Sequence, residues 1–148
     1  MRGTDYEVGG KRLWEMTASH LMEREVFCFR ETASCEEVVE TLVKENFGSV
    51  PIVDQEGGLI GIVSEYDLLD ALLDGKDLKK TPVSEYMTEP AISISEAMTA
   101  DQISDLLQAH HLIRVPVTDP EGKLIGLVAR RDILAGYLES HLGPLPIF

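Results

Sequence analysis

Two hydrophobic periods alternate along the chain. Val26–Arg30 and Ala91–Ser95 each suggest a strand, with Ile and Ser alternating in the second at the two-residue period. A helix start follows each stretch. Ser34 with Glu37, and Thr99 with Gln102, put a hydroxyl at the N-cap and a side-chain acceptor three residues later. Val38, Val39, Leu42 and Val43, and then Ile103, Leu106 and Leu107, recur at helical spacing. A β-rich run opens at Pro51 or Pro116, a position where a strand start tolerates proline. Asp54–Gly58 and Asp119–Lys123 carry hairpin-turn residues, and second strands end at Val63 and Val128. The last helix of each set carries Leu68, Leu69, Leu72 and Leu73, or Ile133, Leu134 and Leu138. The order is β-α-β-β-α, twice.

The two sets are copies. A shift of 65 residues lays Val50–Val63 on Val115–Val128 with nine of 14 pairs identical and no gap. The match extends forward through Asp67 and Asp132 and back through Met22 and Met87. This divides the chain into a leader over 1–16, one unit over 17–79, a second over 82–144 and a tail over 145–148. A unit of about 60 residues buries little on its own. The expected fold is therefore α+β, two β-α-β-β-α units packed together with pseudo-two-fold symmetry. The leader stretch Lys11–Met22 predicts a short helix carrying Trp14, and the tail Leu142–Phe148 is apolar with two prolines.

Charge narrows the function. Thirteen Lys and Arg against 26 Asp and Glu give a net charge of −13. Such a surface repels phosphate backbones, which argues against nucleic-acid and anionic-membrane partners. No apolar run reaches the roughly 18 residues of a membrane span, and Met1–Gly10 lacks the apolar core of a secretory signal. The expected compartment is the cytoplasm. Cys28 and Cys35 have neither CxxC spacing nor partners for a disulfide framework, and the alternation at Val26 and Cys28 predicts a small core side chain at Cys28. The four histidines, His20, His110, His111 and His141, form no recognisable metal set. No nucleophile–base pair stands out either, so no enzyme is expected.

The strand–turn–strand segments around Val50–Asp67 and Val115–Asp132, with the methionine segments at Met22 and Met87, resemble the cystathionine-β-synthase (CBS) domain family. The resemblance runs from about Met16 to His141. It implies a pair of units that bind adenosine compounds in shared clefts, regulate an attached or partner protein, and form homodimers. The family motif is a glycine, two apolar residues, Ser or Thr, two further residues, then Asp. Gly61, Ser64 and Asp67 satisfy it in the first copy; the second keeps Gly126 and Asp132 but has Ala129 in place of the hydroxyl. By resemblance Asp67 and Asp132 bind ribose, Ser64 and Arg114 lie near phosphate, and Val50, Ile62, Ile113 and Leu127 lie against adenine. Because Ser64 and Asp67 complete the motif and Ala129 breaks its counterpart, the two clefts are expected to be unequal; the position of Arg114 is held by Ser49 in the first copy.

Elementary chemistry supplies a parallel reading. An ionised carboxylate accepts hydrogen bonds from both ribose hydroxyls. Yet Ser64 and Asp67 also make an ordinary helix start, and that alternative stays open. Arg130 and Arg131 stand at a helix N-terminus, where cations are mildly unfavourable unless an anion binds; surface ion pairs are the competing explanation. The expected function is a regulatory sensor of an adenine nucleotide (AMP, ADP or ATP), with no obligatory cofactor and a regulated protein the sequence does not identify. A ligand-free homodimerisation scaffold and an S-adenosylmethionine sensor are the alternatives.

Overall fold

The computed structural model describes residues 7–8 and 11–142. The apolar tail beyond Leu142, and most of the leader before Lys11, lie outside the described residues. Two small strands, β1 (Glu7–Val8) and β2 (Lys11–Arg12), form a ribbon, followed by a single 3-10 turn at Leu13–Glu15 and a short helix α1 (Ala18–Leu21). The first repeat continues with β3 (Phe29–Arg30), α2 (Cys35–Glu45), β4 (Ser49–Val53), β5 (Leu59–Ser64) and α3 (Glu65–Leu73). The second has a 3-10 turn at Val83–Glu85, then β6 (Ile94–Ser95), α4 (Ala100–Ala109), β7 (Arg114–Thr118), β8 (Leu124–Ala129) and α5 (Arg130–Leu142). The doubled β-α-β-β-α order is present, and the class is α+β with two three-stranded sheets, β3-β4-β5 and β6-β7-β8.

The compact units cut across the sequence repeats. One, the first-sheet unit, is Phe27–Ile92 with Glu121–Leu124. The other, the second-sheet unit, takes the described residues up to Val26 together with Ser93–Pro120 and Ile125 to Leu142. The opening segment of each sequence repeat therefore belongs to the sheet of the other. In the second-sheet core, Met16, Ala18, Leu21 and Met22 pack with Ile103, Val115, Val117 and Val128. In the first-sheet core, Val83 joins Cys35, Val38, Val50, Ile52 and Val63.

Each leading segment lies along an outer strand. In the first-sheet unit, Thr88 and Ile62 exchange both backbone hydrogen bonds, at 2.9 and 2.8 Å. In the second, Glu23 and Leu127 do the same at 2.8 and 3.0 Å. This pairing also explains a proline inside a middle strand. Pro51 lies opposite Ile62, whose own N–H and C=O turn outward to Thr88. Pro51 therefore faces a position with no exchanged bonds, and parallel pairing to β3 begins only at Ile52. The missing N–H costs no ladder bond.

The opening strands are shorter than the alternation predicts. They hold two residues each, because each is a parallel edge strand with only two register pairs. Since β3 starts at Phe29, Cys28 falls outside it and is exposed; the buried cysteine is Cys35. The hairpin turn forms as its residues require. The Asp54 carboxylate accepts from the N–H of Glu56 and of Gly58, at 2.9 and 2.8 Å, and Gly57 adopts φ +87°. The helix capping also forms, with Ser34 Oγ accepting the Glu37 N–H at 3.2 Å and Thr99 N–H donating to Gln102 at 3.0 Å. The final helices bury one side only. Leu68 and Ile133 are in the cores, whereas Leu69, Leu72, Leu73 and Leu134 are exposed.

Candidate functional site

The two aspartates of the repeat motif mark equivalent places, one in each unit. In the first-sheet unit β5 runs into α3 through a complete capping box. Ser64 Oγ accepts the Asp67 N–H at 3.2 Å and Asp67 Oδ2 accepts the Ser64 N–H at 2.9 Å. The Thr88 hydroxyl lies 3.4 Å from both Asp67 oxygens. The capping role of Ser64 is thus realised, and this carboxylate is held between two donors, the Ser64 N–H and the Thr88 hydroxyl.

The second-sheet unit repeats the geometry with different chemistry. Asp132 Oδ2 accepts the Ala129 N–H at 2.7 Å, but alanine has no hydroxyl to return. Where the first-sheet unit has Thr88, this one has Glu23. Burial pushes the Asp132 carboxyl up and Glu23 adds to the rise, while the Ala129 N–H, Arg131 and Arg114 oppose it. The Arg114 guanidinium is lowered by burial and supported by Asp132. A half-buried acid within electrostatic range of a half-buried arginine combines an acceptor for hydroxyls with a cation for negative charge.

The remaining predicted residues divide. Arg130 and Arg131 are exposed and line, with Ile113, Ala129 and Leu134, a surface hollow of about 610 Å³. Ile113 is 58% exposed and is open to an aromatic ring. Ile62 is half-buried, and Leu127 is almost wholly buried. Val50 is a correction: its side chain has no exposed surface and sits in the first-sheet core, so it offers nothing to adenine.

The motif glycines do something sequence reasoning did not assign. A Cβ on Gly126 would meet Met22 Sδ at 2.6 Å and the Glu23 carbonyl at 3.0 Å; one on Gly61 would meet the Thr88 carbonyl at 2.9 Å and Met87 Sδ at 3.1 Å. Glycine at these positions lets the covering segment approach the strand. Those segments bring Thr88 and Glu23 to the aspartates. Both residues were missed, although the offset of 65 that pairs Asp67 with Asp132 also pairs Glu23 with Thr88. Among the described residues no group of three or more His, Cys, Asp or Glu could hold a metal ion.

A family model, the CBS domain, matches residues 18–74 and 83–139. The chain belongs to the CBS domain family. Among curated relatives it is similar to inosine-5'-monophosphate dehydrogenase of Aquifex aeolicus, 35% identical over 99 residues, which are 66% of this chain and 20% of that protein. It spans only 20% to 61% of the length of the first curated relatives it matches. Among solved structures it resembles CBSX2, a CBS-pair protein of Arabidopsis thaliana, in complex with AMP, with 26% identity, TM-score 0.73, and coverage of 84% of this chain and 97% of that one. It also resembles the CBS domain pair of protein MJ0100 in complex with 5'-methylthioadenosine and S-adenosyl-L-methionine, with 26% identity, TM-score 0.70, and coverage of 80% and 97%. As a CBS pair, the chain places its two motif aspartates at corresponding strand–helix junctions, each faced by a residue from a leading segment.

Proposed function

We propose that this CBS pair is a regulatory sensor that binds an adenine nucleotide and reports to a partner protein in the cytoplasm. The observation that carries the reading is the set around Asp132, a carboxylate suited to ribose hydroxyls within the field of Arg114 and Arg131. The AMP complex of CBSX2 supports adenosine monophosphate as the first ligand to try. The MJ0100 complex supports S-adenosylmethionine as the second. The role is regulatory and non-catalytic, with no cofactor required. A second function is favoured by a separate observation. Tyr66, Leu69, Leu72 and Leu73 are all more than half exposed along α3, an apolar face suited to homodimerisation.

Isothermal titration of the full chain against AMP, ADP, ATP, adenosine and S-adenosylmethionine tests the proposal. Asp132→Ala should remove charge-assisted hydrogen bonds of about 1.5–3 kcal/mol, a roughly ten- to hundred-fold weakening for adenosine and AMP alike. Arg114→Ala should weaken AMP and spare adenosine, with the loss shrinking in high salt. Absence of binding across the panel overturns the sensor and leaves the homodimerisation scaffold.

A further inference from the structure

We infer that the two ligand positions are sorted by charge: the one at Asp132 takes a phosphorylated adenosine compound, and the one at Asp67 takes an adenosine compound without phosphate. The inference rests on the sensor reading above and goes beyond it by assigning a different ligand class to each position.

The two places are the same in backbone. The Glu65 N–H donates to the Gly48 carbonyl at 3.0 Å, and the Arg130 N–H donates to the Ile113 carbonyl at 2.9 Å. The next contact along is also shared, since Ser64 N–H donates to Asp67 and Ala129 N–H to Asp132. Residues 65 apart therefore occupy corresponding points around each aspartate, and their chemistry can be compared directly.

The comparison inverts the charge. Arg114, Arg130 and Arg131 correspond to Ser49, Glu65 and Tyr66. Three cations on one side face a serine, a carboxylate and a phenol on the other. The covering residues offset this only in part. With Glu23 and Asp132 included, the second-sheet set keeps one net positive charge; with Thr88 and Asp67 included, the first-sheet set has two net negative charges. Glu65 opens α3, and its Oε1 lies 3.6 Å from where a Cβ on Gly48, the residue before β4, would stand. A phosphate held near Asp67 would meet that carboxylate, whereas one held near Asp132 would meet guanidinium groups that accept it bidentately. Repulsion from an unpaired like charge is an effective way to refuse a ligand.

Titrations of the full chain with AMP and with adenosine, at low salt, test the sorting. Adenosine is expected to saturate at two per chain and AMP at one. Arg130→Glu should weaken AMP tenfold or more and leave adenosine within twofold. The double variant Ser49→Arg with Glu65→Arg should raise AMP to two per chain, its fold checked by circular dichroism. A parent that binds two AMP equally overturns the sorting and leaves the sensor reading intact. So does a folded double variant that still stops at one. If neither AMP nor adenosine binds, the sensor reading falls and takes the sorting with it.

Discussion

The Asp132 carboxylate accepts the Ala129 N–H at 2.7 Å, one half of a capping box whose other half has no side chain. At the corresponding junction Ser64 and Asp67 close both halves. Ala129→Ser supplies the missing hydroxyl at the start of α5. It should stabilise the protein by about 1 kcal/mol, and Ser64→Ala should cost a similar amount, both read from urea midpoints. An Ala129→Ser variant no more stable than the parent would show that the α5 start has no use for a cap.

The same carboxylate predicts a pH dependence. Burial and Glu23 raise its pKa above the roughly 3.9 of an unfolded aspartate. The folded state therefore holds this proton more tightly than the unfolded one. The resulting stability is fully present below the unfolded value and is lost as pH rises through the folded one. Asp132→Asn keeps an oxygen for the Ala129 N–H and removes the buried charge. The variant should be more stable than the parent at neutral pH, and the difference should close on acidification. A difference independent of pH between about 3 and 7 would contradict this assignment.

Gly126 sets a steric test. Its backbone is not in the left-handed region, so Gly126→Ala probes contact alone. The added methyl meets Met22 and the Glu23 carbonyl, and the strand or its covering segment must shift. A loss of about 1–3 kcal/mol is expected. Gly61→Ala should behave alike, because the Thr88 carbonyl at 2.9 Å is backbone and cannot rotate away. Melts matching the parent would show that these segments are not held against the strands.

The exposed leucines predict assembly. Light scattering should give about twice 16.4 kDa. Leu69→Glu and Leu134→Glu should move the mass toward that of one chain without changing the circular-dichroism spectrum. A single-chain mass for the parent across micromolar concentrations would count against the homodimer.

Much of this was legible in the chain because the repeat supplies two readings of every element. The order of elements, the Asp54 turn and the Ser34 cap follow from local chemistry that tertiary contacts do not override. The short β3 was not legible, since its ends are set by how far Ile52 and Val53 reach a neighbour, not by the alternation through Cys28. Val50 was misplaced for a related reason: a valine in a β-run reads the same whether it faces a ligand or a core. Asp67 and Asp132 could be singled out, but their surroundings could not. Thr88 and Glu23 are distant in sequence from the aspartates they face, and only the cross-packed segments bring them there.

Those segments have a consequence for ancestry. Severed near Pro82, the chain would yield two pieces, each lacking the strip that covers its own motif glycine and each carrying the strip its counterpart needs. Neither piece can be finished alone. A one-repeat forebear of this architecture has to close by trading strips with a second molecule, at a rate set by dilution. Fusing two such genes end to end changes no contact; it replaces a chance meeting with a tethered one, at an effective concentration on the order of millimolar. Once tethered, the halves are free to diverge, and a threonine on one strip can become a glutamate on the other.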